Sequence, residues 1–418
     1  MIWKFTSVSL ALKIFQGALA FISLSLQSKA LSSNDFNILS VVGNAILMSV
    51  FLDLGAGVQF IQNHFKSADK SAPNEDAHVL KFLRSHFLIF FGVSFFQSLL
   101  VSLYCLFYLS RLSTSIEPIL PIVIFFTTLI FSISGLISRS LTARGYVTES
   151  LWYQMIGVLF QVTILFGIYL MELHLTLFIA LLAIPNLIVS LLSIRLLRKR
   201  SKNQGLDINR FEILAPRLNA SIQGLQILQF INSTLPLLLF STSSPLITTS
   251  CVLIYWRIFT SVAAAMSAVN SLEWRESAIN NEDFAKIFKN DHTQLLKKIF
   301  TSLFLSALVL VFVVAFWSYL STEQSNFRLF TYISWLLFVP SQVYQWHFYF
   351  KLLAVKEYPD LIAATALQLF STNFSLYFIQ AGPSWSLPVS YILGLLISGT
   401  YLNFRNFLMI REVRRQNA

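Results

Sequence analysis

The sequence is dominated by apolar stretches that are each long enough to cross a lipid bilayer as a helix. A helix rises 1.5 Å per residue, so about 20 apolar residues span the roughly 30 Å of hydrocarbon. We find twelve such stretches, and the alternation typical of a membrane β-strand is absent from them. They lie at 8–27, 38–60, 86–109, 118–138, 150–171, 174–194, 218–240, 247–269, 299–320, 329–350, 359–380 and 389–410. The sequence therefore predicts an all-α integral membrane protein with about twelve transmembrane helices.

Composition supports this class and argues against several others. Of the 418 residues, 56% are hydrophobic and 12% charged, whereas soluble domains carry about a quarter charged residues. A phosphate-binding loop and a metal-ligand spacing are both absent from the sequence, so we expect no ATPase, no metal site, no cofactor and no catalytic residues. The net charge of +11 lies in short loops, too short for a basic nucleic-acid-binding domain.

The distribution of basic residues predicts the orientation in the membrane. Lys and Arg concentrate in cytoplasmic loops of membrane proteins. With both termini placed in the cytoplasm, 25 of the 30 Lys and Arg fall on the inner side and three on the outer side. The remaining two, Lys13 and Arg257, fall inside predicted helices. We therefore expect a multi-pass protein with cytoplasmic termini, whose inner loops contact anionic lipid headgroups.

The predicted helices form two halves of six. The longest basic segment, 195–217, separates an N-terminal half at 1–194 from a C-terminal half at 218–418. Six spans per half predict a pseudo-two-fold axis along the membrane normal, as in transporters built from parallel repeats.

Each half begins with a helix that carries one polar stripe. In the first helix the stripe is formed by Lys13, Gln16, Ser23 and Gln27. In the seventh helix it is formed by Asn219, Gln223, Gln226, Gln229 and Ser233. Polar residues within the bilayer avoid lipid, so each stripe should face protein or a water-filled cavity. Hydrogen bonds within a packed bundle and a transport site between two halves both agree with this pattern.

Three charged residues lie at membrane depth. Arg257 is about 18 Å from the inner end of the eighth helix, near the bilayer centre, where it needs an anion, water or a structural partner. Asp53 lies beside Gly55 and Gly57 and is a candidate for ion coupling or for a structural ion pair with a cation. Lys13 is close enough to the inner end of its helix to reach the interface. A cavity with two cations and one carboxylate suits an anionic substrate.

Three segments resemble the Wzx-type polysaccharide flippases, in the polysaccharide transporter family of the multidrug/oligosaccharidyl-lipid/polysaccharide exporter superfamily. The first, residues 31–65, contains the DLGAG turn; the second, SRSLTARGYVTES, is a short basic inner loop with a glycine. The third, residues 253–287, places Arg257 in the eighth helix ahead of a Trp-containing segment. The order and spacing of the three segments carry the resemblance.

The resemblance implies translocation of an undecaprenyl-diphosphate-linked oligosaccharide, such as an O-antigen repeat unit, across a bacterial inner membrane. Arg257 and Lys13 would then neutralise the diphosphate, and Trp256 would stack on sugars. Hydrogen bonds to the sugars would come from four glutamines, Gln16, Gln223, Gln226 and Gln229. Asp53 would couple transport to a proton or sodium ion, and a polysaccharide polymerase is a candidate partner.

Two other functions fit parts of the sequence. A cation-coupled exporter of small molecules shares the architecture, although a pump for organic cations should prefer acidic cavity residues. A membrane-embedded polysaccharide polymerase would need a long outer loop with catalytic groups, and the longest predicted outer loops have only about ten residues.

Overall fold

The computed structural model contains only helices, turns and connecting segments in the part of the chain that it describes. The described residues are 22–23, 26–27, 31–49, 87–111, 117–143, 147–171, 174–202, 220–245, 248–249, 251–263, 266, 291–320, 329–354, 357–379 and 383–416. The helices are α1 Ser33–Ser49, α2 Phe87–Arg111, α3 Leu120–Ala143, α4 Val147–Met171, α5 Leu175–Leu181, α6 Ala183–Lys202, α7 Ala220–Ser243, α8 Cys251–Ala263, α9 Asp291–Leu320, α10 Leu329–Ala354, α11 Tyr358–Phe378 and α12 Ser386–Gln416.

The helices follow the predicted spans closely and confirm the all-α class. Within the described residues, five stretches are long and apolar enough to cross a membrane: Phe91–Ser110, Leu175–Lys199, Thr293–Ala315, Tyr358–Phe378 and Ser386–Arg411. The observed helices differ most from the predicted spans where a helix has a charged end. The helices α6, α9 and α12 extend beyond their apolar stretches, because a helix satisfies its backbone hydrogen bonds internally in water as well as in lipid. The first predicted span, at 8–27, lies almost entirely outside the described residues.

One predicted span is divided into two helices. The sixth apolar stretch contains α5 and α6, which are separated only at Leu182. Pro185 lacks a backbone N–H, so the carbonyl of Leu181 has no donor four residues later. Leu182 itself has helical backbone angles, so α5 and α6 still form one continuous apolar stretch.

The contacts of the chain define two compact units, Met1–Ile227 and Leu228–Ala418. The division falls inside α7, and the first eight residues of the predicted linker at 195–217 belong to α6. The linker and the two predicted halves remain predictions.

Short polar side chains join the helices of the first unit. Ser102 Oγ of α2 donates to the backbone carbonyl of Pro121 of α3 at 2.7 Å, and Ser134 Oγ of α3 donates to the carbonyl of Asn186 of α6 at 3.1 Å. Ser94 Oγ and Ser132 Oγ are 2.9 Å apart across the α2–α3 contact. Hydroxyls of this kind let helix backbones approach closely in a membrane.

The polar stripe predicted for the first helix faces protein at the two positions that the structure describes. Ser23 and Gln27 are both buried. Gln27 Nε2 donates to Ser23 Oγ at 3.2 Å, and Gln161 Nε2 of α4 reaches the same oxygen at 3.4 Å. This end of the stripe therefore makes hydrogen bonds within the first unit.

In the second unit, α10 and α11 both pack closely against α12. A Cβ at Gly394 would collide with Thr372 Oγ1 of α11, and a Cβ at Gly399 would lie 2.7 Å from the ring of Tyr344 of α10. Glycine is therefore required at both positions for this spacing. Between the same three helices, Gln345 Nε2 donates to Gln368 Oε1 at 2.6 Å and to Ser398 Oγ at 2.8 Å.

Candidate functional site

The candidate site is built around Trp256, in the second unit. Its indole ring lies 4.4 Å from Tyr391 of α12, 5.2 Å from Phe338 of α10 and 6.4 Å from Trp335 of α10, measured between ring centroids. Trp335 in turn contacts two further rings of α8. We call these side chains the aromatic cluster: Tyr255, Trp256, Phe259, Trp335, Phe338 and Tyr391.

The spacing along each helix explains which of these rings share a face. Positions four apart, such as Tyr255 and Phe259, lie on one face of α8, and positions three apart, such as Trp335 and Phe338, lie on one face of α10. Trp335 is fully buried. Aromatic pairs at these separations and tilts are favourable beyond their buried area. The cluster therefore gives α8 a fixed, rigid neighbour on α10 and α12.

Arg257 follows Trp256 directly and lies in the middle of α8. It is partly buried. Two hydroxyls of its own helix donate to backbone carbonyls: Ser261 Oγ to that of Arg257 at 2.8 Å, and Thr260 Oγ1 to that of Trp256 at 2.6 Å. Residues 213–272 contain no Asp or Glu. The local charge of this segment is therefore positive.

The other side of the site is formed by α7. Gln229 Nε2 donates to the hydroxyl of Tyr349 of α10 at 2.5 Å. One turn further along, the hydroxyl of Tyr391 donates to the backbone carbonyl of Asn232 at 2.9 Å and lies 3.2 Å from the carbonyl oxygen of Ser233. Tyr391 thus contacts α7 with its hydroxyl and Trp256 with its ring.

Three of the residues predicted from sequence are brought into one region. Trp256 and Arg257 are adjacent on α8, and Gln229 is one turn from the Asn232 carbonyl that Tyr391 contacts. Trp256 is 9% exposed, because Tyr391 and Phe338 occupy its surroundings. Sugar stacking on Trp256 remains a prediction.

The other predicted site residues cannot be compared with the geometry. Gln223 and Gln226 belong to α7, but their side chains are not among those described. Lys13, Gln16 and Asp53 lie outside the described residues. Their roles stay predictions.

Sequence reasoning missed Tyr391, Asn232 and Trp335. Among the residues that the structure describes, Asn232 Oδ1 and Trp335 Nε1 are buried side-chain atoms without a hydrogen-bond partner. Pro236 was an available signal, because a proline inside a membrane helix needs a donor from elsewhere for one carbonyl. The identity of that donor could not be inferred, since Tyr391 is 159 residues from Asn232 along the chain.

An ion pair lies near the start of α11. Arg405 Nε of α12 is 2.8 Å from Asp360 Oδ1, and the Tyr401 hydroxyl donates to the same oxygen at 3.1 Å. Asp360 follows Pro359 in the first turn of α11, where a carboxylate is favoured by the helix dipole.

Comparison with known proteins gives the fold and no closer relationship. No protein-family model matches the sequence. No curated protein matches it either.

Solved structures match over nearly the whole chain. A multidrug-resistance MATE family transporter of the MOP superfamily, in an outward-facing conformation, has a TM-score of 0.64 at 12% identity, covering 98% of this chain and 95% of its own. An inward-facing MATE family transporter has a TM-score of 0.60 at 14% identity, covering 99% and 100%. A MOP superfamily transporter from Pyrococcus furiosus, described as having a binding pocket of reversed polarity and a different function, has a TM-score of 0.64 at 12% identity, covering 98% and 95%. The chain therefore has the fold of these transporters, which have twelve transmembrane helices in two halves.

Proposed function

We propose that this protein is a flippase for an undecaprenyl-diphosphate-linked oligosaccharide. In this proposal the lipid-linked repeat unit, such as an O-antigen unit, moves from the cytoplasmic to the periplasmic leaflet of a bacterial inner membrane. The fold shared with membrane transporters over nearly the whole chain supports transport as the class of function. The choice of substrate rests on the residues of the second unit.

The observation that carries the substrate class is Arg257 in the middle of α8. A guanidinium stays charged and offers five donors in a planar fork, which matches phosphate oxygens. It lies within sixty residues that contain no carboxylate, so this segment favours an anion over an organic cation. A lipid diphosphate has this charge, and its tail can remain in the bilayer.

The neighbouring residues suit the sugar part of such a substrate. The aromatic cluster lies next to Arg257, and Gln229 provides an amide beside it. The cluster is closely packed, so sugar stacking on Trp256 requires that its neighbours Tyr391 and Phe338 move during transport. The buried atoms Asn232 Oδ1 and Trp335 Nε1, an acceptor and a donor, would be satisfied by hydroxyl groups or water. Gln16, Gln223 and Gln226 are proposed to add sugar contacts, and Lys13 a second cation.

Alternating access of two halves is the mechanism we propose for this chemistry. A headgroup that is charged and polar cannot cross hydrocarbon unaided, so a site must open to one side at a time. The sequence has no nucleotide-binding loop, so the drive would be an ion gradient or removal of the product. Asp53 is the proposed residue for coupling to a proton or sodium ion.

A cation-coupled exporter of small molecules is the second candidate function. Several proteins of the same fold are multidrug-resistance transporters. Such a function predicts that deletion of the gene raises sensitivity to toxic organic cations without changing lipid-linked oligosaccharides.

The deciding experiment is deletion of the gene, followed by extraction of lipid-linked oligosaccharides and a sidedness assay. Accumulation of single repeat units that face the cytoplasm supports the flippase. Single units that reach the periplasmic face but never lengthen would point to a polymerase. Normal units together with lost drug efflux would point to the small-molecule exporter.

Arg257→Ala should reduce export by about 30-fold or more, because loss of a buried charged contact typically costs several kcal/mol. Arg257→Lys keeps the charge but loses the planar fork, so we expect an intermediate loss. The measurement is the amount of surface polysaccharide at equal amounts of protein in the membrane. The matched control is Arg411→Ala, at an exposed position near the end of α12, which should export normally. Full export by Arg257→Ala would remove this residue from the mechanism.

A further inference from the structure

The helix α7 contains a break in its hydrogen bonding that the sequence makes unavoidable. Pro236 lies inside α7 and has no backbone N–H. The carbonyl that this N–H would have bonded belongs to Asn232, four residues earlier. In a bilayer an unpaired carbonyl is costly, so a membrane protein needs another donor at this point.

The donor comes from the last helix of the chain. The Tyr391 hydroxyl, on the second turn of α12, donates to the Asn232 carbonyl at 2.9 Å. A phenol has a single hydrogen to donate. The Ser233 carbonyl, 3.2 Å away, has the N–H of Leu237 as its helical donor, so the hydrogen is needed most at Asn232. Tyr391 therefore replaces the hydrogen bond that Pro236 removes.

The ring of the same residue supports α8. Tyr391 is 4% exposed, and its ring centroid is 4.4 Å from that of Trp256. Arg257 is the next residue along α8, so a displacement of Trp256 moves its backbone too. One side chain thus joins the break in α7 to the segment that carries the cation.

We infer that Tyr391 is a positioning residue: by bonding the carbonyl that Pro236 leaves open, it fixes α7, α8 and α12 together and sets the place of Arg257. The inference rests on the proposed function in one respect: it takes Arg257 to be the group that binds an anion. The test measures the purified protein without added substrate, so its outcome does not depend on which substrate is transported.

The test is a double-mutant cycle between Tyr391→Phe and Pro236→Ala. Tyr391→Phe keeps the ring but leaves the Asn232 carbonyl unpaired, so the thermal midpoint of the purified protein should fall by roughly 2–5 °C. The substitution Pro236→Ala restores a backbone N–H to that carbonyl. In the Pro236→Ala background, Tyr391→Phe should therefore lower the midpoint by less than half as much. If Pro236→Ala does not fold, Pro236→Ser supplies the same N–H.

A second readout follows the position of α8. Arg257→Cys, in a chain whose two native cysteines are replaced by alanine, reports the accessibility of this position to a water-soluble thiol reagent. Tyr391→Phe should change the modification rate by about threefold or more, and Pro236→Ala should cancel that change. A substitution that merely weakens the fold would not be cancelled in this way.

Tyr349→Phe is the matched control. It also removes the hydroxyl of a buried tyrosine beside α7, but that hydroxyl accepts from the side chain of Gln229. Its effect should be the same in the parent protein and in the Pro236→Ala background. Equal effects of Tyr391→Phe in both backgrounds, or no effect in either, would overturn the inference. Neither result bears on the flippase proposal, which is decided by the sidedness of lipid-linked oligosaccharides.

Discussion

The two units of this protein hold their helices together by different means. In the first unit most of the described side-chain hydrogen bonds between helices use short hydroxyls, such as those of Ser102 and Ser134, beside one amide, Gln161, and ring contacts such as Phe95–Phe125. In the second unit the described contacts include long amides, a cluster of aromatic rings and the Asp360–Arg405 ion pair. Short hydroxyls favour close, uniform packing, whereas long polar side chains can leave buried polar atoms without a hydrogen-bond partner.

Buried polar side-chain atoms without a hydrogen-bond partner are concentrated in the second unit, among the residues that the structure describes. Within the described part of the chain, buried side-chain oxygen and nitrogen atoms without a hydrogen-bond partner occur only after residue 228. Examples are Asn232 Oδ1, Trp335 Nε1, Gln342 Oε1, Thr372 Oγ1 and Ser390 Oγ. Polar groups of this kind are costly in a membrane protein and mark functional regions. This contrast agrees with the choice of the second unit for the candidate site.

The largest stability effect should come from the ion pair of the second unit. Arg405→Ala leaves the Asp360 carboxylate, 10% exposed, with the Tyr401 hydroxyl as its one remaining side-chain partner among the described residues, and should cost about 2–3 kcal/mol. Asp360→Ala should cost about 1 kcal/mol, because the Arg405 side chain is 38% exposed and can turn to water. Thermal unfolding in detergent measures both. Equal losses would mean that the carboxylate is not the buried member of the pair.

A glycine pair tests the packing of the two units directly. Gly394→Ala in α12 should destabilise by about 1–3 kcal/mol, because the new methyl meets Thr372 and the Gln368 carbonyl. Gly167→Ala in α4 meets nothing within 4 Å and should stabilise by up to about 1 kcal/mol through helix propensity. The unfolding midpoints of the two variants, compared with that of the parent protein, test whether the two stability changes have these opposite signs. A loss at Gly167 would show that a methyl group does not fit at this position of α4.

The smallest effect should come from a hydroxyl of the first unit. Ser132→Ala removes the bond to Ser94 and the 3.5 Å contact with Gln97, and should cost about 0.6 kcal/mol, the average for such bonds in membrane proteins. The same unfolding assay applies, with Thr301→Ala on an exposed face of α9 as the reference. A cost near that of Arg405→Ala would remove the contrast between the units.

The sequence was informative wherever a property is local. Apolar length predicted the helices to within a few residues at most ends. The polar stripe around Ser23 and Gln27 correctly indicated a face turned toward protein. Each of these follows from spacing along one helix, which a sequence records directly.

Pairings between distant helices were outside the reach of such reasoning. Tyr391 and Asn232 are 159 residues apart, and Asp360 and Arg405 lie on different helices. Periodicity tells which face of a helix is polar but not which helix it meets. The division of one span into α5 and α6 could have been predicted, since Pro185 is visible in the sequence. It was missed because the span was assigned from the length of the apolar stretch alone.

The position of the Asp360–Arg405 pair along α12 has a consequence for the surrounding lipid. Arg405 is 19 residues beyond Ser386, which is about 29 Å along the helix axis and close to the thickness of a hydrocarbon core. The remaining turns, which include Arg414 and Arg415, bring the helix to about 46 Å. From this length we expect Ser386 and the Asp360–Arg405 pair to lie near opposite faces of the bilayer. In a thinner membrane α12 would then have to tilt, and in a thicker one the charged pair would enter hydrocarbon, so the stability of the protein should depend on the acyl-chain length of the lipid.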